Sequence, residues 1–273
     1  MLPSGEQLRA LEVDGYLVLP SWLPTSEVKL LREETDDLAL QHTSYSDRQW
    51  FVHDLQWSAA PPLLRLIAYQ PTLNVLRMIL GKDILAVSMT YARTDPGYPG
   101  MALHTDCQPY GSNIFGMKGS SPCMLRVLYY LDDLTDDCAP LRVIPSSHLA
   151  LHADANPYRR YLSHPEEVEI SCQAGSTVII NQRLFHATGA NRSTVSRRLL
   201  AVAYRPEWAR PIAPVPEHPA EGLDRMPPVV RTLFKSPNTG IESTTMPNYS
   251  RELPDEAPGL NITRWKRRNS GLD

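Results

Sequence analysis

Ile84-Leu85-Ala86-Val87-Ser88-Met89-Thr90-Tyr91-Ala92-Arg93-Thr94 is the stretch on which the fold turns. It is an apolar run with β-branched and aromatic residues, bounded by turn residues, and it reads as a strand. Similar short runs follow at Met101 to Asp106, Met124 to Leu131, Leu141 to Ile144, Val168 to Ser171, Thr177 to Asn181 and Arg198 to Tyr204. Short strands in succession without intervening long helices predict a sandwich or barrel.

Upstream of Ile84 the signals are mixed, with helices dominating. Ser4 with Gln7 three residues on marks a helix start, running to about Val13; Gly15 stops it, and Tyr16 to Leu19 reads as a strand. A second helix is predicted from Thr25-Ser26, with Val28, Leu31 and Leu38 on one face, and further helical pieces after Pro61-Pro62 and Pro71, where proline suits the first turn. Beyond Pro206 the chain is proline-rich, and only Val229 to Lys235 looks helical. The expected organisation is a single domain over 1–273, with a helix-rich part at about 1–80, a β core at about 84–206 and an irregular tail at about 207–273.

The bulk composition narrows the class. With 42% hydrophobic and 21% charged residues the chain can bury a sizeable core, and a net charge of -3 gives no broad basic surface for nucleic acid. The basic run Arg264 to Arg268 reads as a solvated tail. No stretch is long enough to span a membrane and no secretory signal is visible, so a cytoplasmic location is expected. Cys107, Cys123, Cys138 and Cys172 form no CxxC pair, and the sequons at Asn191, Asn248 and Asn261 read as chance matches. The sequence leaves monomer and homodimer open.

Chemistry enters with His104-Thr105-Asp106 and His186. Two residues apart on extended backbone, His104 and Asp106 would project to one face. Two imidazoles and a carboxylate can hold a divalent ion and leave three positions open, the arrangement expected of a non-haem Fe(II) oxygenase. A second such tripeptide, His152-Ala153-Asp154, follows Pro145-Ser146-Ser147-His148 with no strand alternation, so context favours the first. Alone, His186 would read as a satisfied core histidine. The preceding tripeptide, the Gly175-Ser176 turn before it and the arginines after it reverse that reading. Arg197 and Arg198 open an apolar strand, where an unpaired guanidinium is costly and an acidic ligand would offset the cost. Alternation alone does not choose between the two.

Taken together, Leu11 to Leu19, Leu103 to Asp106, Leu131-Asp132-Asp133, Leu141 to His148, and His186 to Ser193 with Arg197 resemble the phytanoyl-CoA dioxygenase family of Fe(II)/2-oxoglutarate oxygenases. The resemblance reaches about Arg205. It implies a mainly β fold with flanking helices around a double-stranded β-helix, a cupin-like jelly roll. It further implies Fe(II) on His104, Asp106 and His186, and 2-oxoglutarate held by Arg197 and Thr188, with Tyr91 and Arg93 toward its other end. Consumption of O2, with release of succinate and CO2, would oxidise a small-molecule metabolite. Asp106 points to hydroxylation, because relatives that chlorinate carry a small residue there; desaturation, cyclisation or rearrangement stay open.

Tyr110, Arg126, Leu128 and Tyr130 are the expected substrate-side residues, although the same positions would serve as ordinary barrel residues. Gln108 to Ser121 reads as a flap. Two departures from the family pattern concern loops: Cys138-Ala139-Pro140 where a glycine-containing turn is usual, and Ser146 where the Pro-Gly-Ser-His motif has glycine. His148 belongs to that loop and is not counted as a ligand. The chain ends Ser270-Gly271-Leu272-Asp273, without a peroxisomal address, so tailoring of a natural product is expected over acyl-CoA degradation. The rival classes are a metal-dependent jelly-roll enzyme that needs no O2 and a binding domain with a relic site.

Overall fold

Ser4 caps α1 (Gly5–Val13) through a reciprocal pair: Ser4 Oγ accepts the Gln7 N–H at 3.2 Å, and Gln7 Oε1 accepts the Ser4 N–H at 2.8 Å. Gly15 then takes φ +89°, which turns the chain into β1 (Tyr16–Leu19). A Cβ at Gly15 would lie 2.5 Å from His148 Nδ1 and 2.8 Å from Leu184 Cδ1. Gly15→Ala is therefore expected to destabilise by about 2–4 kcal/mol, combining left-handed strain with overpacking. A chemical-denaturation midpoint measures it. In this computed structural model the described residues are 3–43, 46–106, 124–149, 163–209, 211 and 214–239.

α2 (Thr25–Asp36), α3 (Pro61–Ile67) and α4 (Gln70–Leu80) form where the periodicity and the prolines place them. Leu38 lies past the end of α2 but still packs against the core. Between α2 and α3, where the sequence reading assigned no element, the chain forms β2 (Gln41–Thr43) and β3 (Ser46–Val52). Trp50-Phe51-Val52 is a strong strand signal, and tertiary pairing with the next strand secures it.

β4 (Ile84–Thr94), β5 (Leu125–Tyr130), β6 (Leu141–Val143), β7 (Val168–Ile170), β8 (Thr177–Asn181) and β10 (Arg197–Pro206) follow the predicted runs, and β9 (His186–Thr188) is a further short strand outside them. All pairings are antiparallel. The large sheet has the order β1-β8-β5-β10-β4-β3-β2, and the small one β7-β6-β9. Met101 to Asp106 is not a regular strand, as it makes a single bridge, His104 to His186, at the outer edge of β9. Two backbone hydrogen bonds close that bridge, His104 N to His186 O at 2.9 Å and His186 N to His104 O at 2.8 Å.

Period-two alternation gives the large sheet two unlike faces. Met89, Tyr91, Val127, Tyr129, Leu200, Val202 and Tyr204 pack with the helices in the main core. Tyr129 and Trp22 both donate to Thr72 Oγ1 at 2.9 Å, and Tyr204 donates to the Ile67 carbonyl at 2.8 Å, which pins the helices to the sheet. On the other face Leu128, Tyr130, Val178, Ile180 and Ala201 meet Leu141, Val143 and Ile170 of the small sheet. The result is a jelly roll with helices covering one side.

Both loop departures keep the backbone that glycine would supply: Ala139 sits at φ +50° and Ser146 at φ +65°. Ser146 is held by its Oγ donating to the Val13 carbonyl at 2.7 Å. The described part of the tail is less irregular than expected, with α5 (Ala220–Arg225) and a helix from Pro228 to Arg231, α6, shorter than its predicted span. Among the described residues no helix is long and apolar enough to cross a membrane, and Cys138 and Cys172 are free thiols.

Candidate active site

The bridge at the rim of the small sheet puts His104 beside His186, their rings 4.5 Å apart. Asp106 is held by its backbone N–H donating to the Gln182 carbonyl at 2.9 Å, and its Oδ2 lies 3.7 Å from His186 Nε2. One ligand atom from each of the three residues falls within 4.8 Å of the others. The loop conformation after Leu103 thus does the work that a regular strand was expected to do.

Each imidazole is oriented from behind. His104 Nδ1 lies 3.1 Å from the Ala102 carbonyl, and His186 Nδ1 lies 2.9 Å from the Leu184 carbonyl. A carbonyl only accepts, so both Nδ1 atoms donate, which leaves Nε2 of each ring as the atom turned toward a ligand. Burial, and then the neighbouring His186, push the His104 pKa down to about 4, so the ring is neutral at physiological pH. Asp106 Oδ2 is buried without a hydrogen-bond partner among the described residues. Two imidazoles and a buried carboxylate oxygen, in charge contact with Arg126 Nε at 2.6 Å, suit a divalent first-row metal ion.

The structure separates the two neighbouring arginines. Arg198 is satisfied by a carboxylate: Asp132 accepts from its Nε and Nη2 at 3.0 Å, and Asp36 lies 3.2 Å from Nη1. Arg197 faces the other way, is only 2% exposed, and makes one side-chain hydrogen bond, Nη2 to Thr188 Oγ1 at 3.2 Å. Its guanidinium lies over the Tyr130 ring at 5.7 Å, while Nε and Nη1 have no partner among the described residues. Burial lowers its pKa from the ordinary value. A buried cation with no counter-carboxylate among the described residues is a site for an anion.

A cavity of about 250 Å³ is lined by His104, Asp106, His186, Thr188, Arg126, Leu128 and Tyr130 among others, and Arg197 sits behind it against Thr188 and Tyr130. Tyr91 and Arg93 are not brought to it. Tyr91 is buried in the helix-side core, and Arg93 pairs with Asp95 at 2.9 Å and lies over Trp50. The β4 residues that do face the cavity are Thr90 and Ala92. Phe51 and His53, stacked at 5.2 Å, form a wall that the sequence reading missed because it assigned this segment no element. Tyr110, the Gln108 to Ser121 segment and the His152/Asp154 pair lie outside the described residues. His148 is buried, with Nε2 donating to the Glu12 carbonyl at 3.0 Å, a structural role. Asn191 is equally committed, its amide donating to the Thr94 and Val195 carbonyls.

A larger groove of about 720 Å³ lies at Arg32, Asp132 and Arg198, but these charges are paired with one another. The smaller cavity is the one with unsatisfied groups.

The sequence profile described as phytanoyl-CoA dioxygenase matches residues 11–199, which contain the triad and both arginines. The chain belongs to the phytanoyl-CoA dioxygenase family. Relatives include dioxygenase olcK of Penicillium canescens, 20% identical over 85% of this chain and 80% of its own length. The L-proline trans-4-hydroxylase of Streptomyces griseoviridis is 24% identical over 74% and 86%. Among solved structures, HygX from Streptomyces hygroscopicus, bound to nickel, 2-oxoglutarate and hygromycin B, aligns with TM-score 0.62. It is 19% identical and covers 75% of this chain and 88% of that one. The carbocyclase SnoK from nogalamycin biosynthesis aligns with TM-score 0.63 at 18% identity, covering 76% and 87%. These likenesses carry the jelly-roll fold of a family member.

Proposed function

We propose that this member of the phytanoyl-CoA dioxygenase family is a non-haem Fe(II)- and 2-oxoglutarate-dependent dioxygenase that oxidises a small-molecule metabolite in a tailoring step. The observation that carries the reading is a cavity lined by the His104/Asp106/His186 cluster and by Thr188 and Tyr130, behind which lies buried Arg197, with no carboxylate partner among the described residues. His104 and His186 would hold the ion through Nε2 and Asp106 through a carboxylate oxygen. Bound there with 2-oxoglutarate and O2, Fe(II) supplies oxidation of a C–H bond coupled to formation of succinate and CO2. Arg197 and Thr188 would fix the distal carboxylate of 2-oxoglutarate, and a fixed guanidinium fork orients a carboxylate bidentately. Arg126, Leu128 and Tyr130 line the cavity as the substrate side. The apolar wall of Leu128, Met101, Leu199 and Phe51 would keep water from the reacting carbon. HygX, solved with hygromycin B bound, and SnoK, from nogalamycin biosynthesis, support a small-molecule substrate.

Purified protein with Fe(II), ascorbate and 2-oxoglutarate is expected to form succinate. Formation should rise with extracts containing the substrate, and vanish in His104→Ala and Asp106→Ala. Succinate that persists in both variants, or none from the wild type across such extracts, overturns the reading. Arg197 disfavours an O2-independent metal enzyme, which would leave that cation with no acid to hold.

A further inference from the structure

Arg126 stands on the far side of the metal-ligand cluster from Arg197. The order along the cavity can be followed contact by contact. Arg197 Nη2 donates to Thr188 Oγ1 at 3.2 Å, and Thr188 shares a face of β9 with His186. His186 Nε2 lies 3.7 Å from Asp106 Oδ2, and that same oxygen lies 2.6 Å from Arg126 Nε. β5 gives the same separation: Tyr130, under the Arg197 guanidinium, is four residues from Arg126, about 13 Å along the strand. On the reading above, 2-oxoglutarate reaches from Arg197 to the metal ion and ends before Arg126.

What Arg126 does there is not settled by its one ion pair. Nε touches Asp106 Oδ2 as a charge contact, yet neither atom has a hydrogen-bond partner among the described residues. The side chain is 28% exposed and lines the cavity beside Leu128, Met101 and Phe51. Once Asp106 ligates a metal ion, its charge is shared with that ion and Arg126 loses its counterion. The charges at the cavity then leave one positive charge over: a divalent ion and two guanidinium groups against Asp106 and the doubly charged co-substrate. Arg126, partly exposed at the cavity wall, is then a cation open to a ligand, and a monoanion with two oxygens fits a guanidinium fork.

We propose that Arg126 binds the carboxylate of the substrate, and that the enzyme acts on a carboxylic acid rather than a neutral metabolite. The acid's hydrocarbon part would extend along Leu128, Met101 and Phe51, which places specificity in the charge at one end and an apolar wall at the other.

The test uses the full chain loaded anaerobically with Mn(II) and 2-oxoglutarate, each uptake measured first by calorimetry. Benzoate, phenylacetate and octanoate are then titrated, each against its primary amide. The wild type should bind acids about ten- to a hundredfold more tightly than amides, the range of a charge-assisted hydrogen bond. Arg126→Gln should bring that ratio near one, and Arg126→Lys, keeping charge without the fork, should fall between. Mn(II) affinity should not fall in Arg126→Gln, since a cation beside a metal ion opposes it.

A wild type that takes up neither Mn(II) nor 2-oxoglutarate overturns the dioxygenase reading and this proposal with it. With both taken up, three results overturn the proposal alone: no acid of the set binding, acids binding no better than amides, or the preference surviving in Arg126→Gln. Loss of 2-oxoglutarate affinity in that variant would make Arg126 a co-substrate residue, and loss of Mn(II) affinity would make it a positioning residue for Asp106. Either also overturns the proposal.

Discussion

His186→Ala is expected to lower 2-oxoglutarate turnover more than about a thousandfold, the equivalent of roughly 4 kcal/mol, while leaving the protein folded. The argument rests on what alanine keeps. The backbone bonds between His104 and His186 do not involve the side chain, so the bridge at the rim of the small sheet survives. Only the imidazole is lost, and with it a ligand within 4.8 Å of the other two. A stable variant with no detectable metal uptake by calorimetry is the expected outcome, and full metal affinity would remove His186 from the site.

The same substitution has a consequence for pH. His104 is held at a pKa of about 4 by burial and then by His186, against 6.5 ordinarily. Its folded pKa lies below its unfolded one, so the unfolded chain binds the proton first, and acid favours unfolding. Stability of the metal-free protein is therefore expected to be full above pH 6.5 and to fall from there toward pH 4. In His186→Ala that fall should be shallower, because the second cause of the depression is gone. Thermal melts of chelator-treated protein across this range measure both slopes.

How legible was this site? His104, Asp106 and His186 were readable because metal chemistry limits the residue types and because their order along the chain matches a known family. Arg197 against Arg198 was not readable from alternation, since β10 is buried on both faces and period two marks only which residues share a face. The same ambiguity misplaced Tyr91 and Arg93. Period two groups Met89 with Tyr91 and Thr90 with Ala92 on opposite faces of β4, but it does not tell which face lines the cavity. Phe51 and His53 were missed for another reason: β3 becomes a strand by pairing with β4, a contact between segments about forty residues apart. Loop geometry was legible in part, as Ala139 and Ser146 occupy the left-handed positions that the family fills with glycine.

Arg197→Leu is expected to raise the thermal stability of the protein without co-substrate and to abolish its response to 2-oxoglutarate. Both signs come from one observation, a guanidinium 2% exposed whose Nε and Nη1 have no partner among the described residues. Desolvating such a cation costs several kcal/mol after relaxation, and leucine at the same place, against Leu141 and Ala201 on that face, recovers it in part. Wild-type protein carrying a metal ion should gain about 2.7 kcal/mol at a hundredfold excess of 2-oxoglutarate over its Kd, or roughly 5–10 °C in Tm. The leucine variant should start higher and gain nothing. Arg197→Lys separates charge from shape: it keeps a cation but not the fork, so a partial gain is expected with KM for 2-oxoglutarate raised about tenfold or more. A leucine variant less stable than wild type would mean that the guanidinium is satisfied within the protein. A variant still stabilised by 2-oxoglutarate would move its carboxylate elsewhere. The stability given up at Arg197 is then the free energy that the fold holds in reserve for an anion, which is why this arginine and not its well-paired neighbour is the one to test.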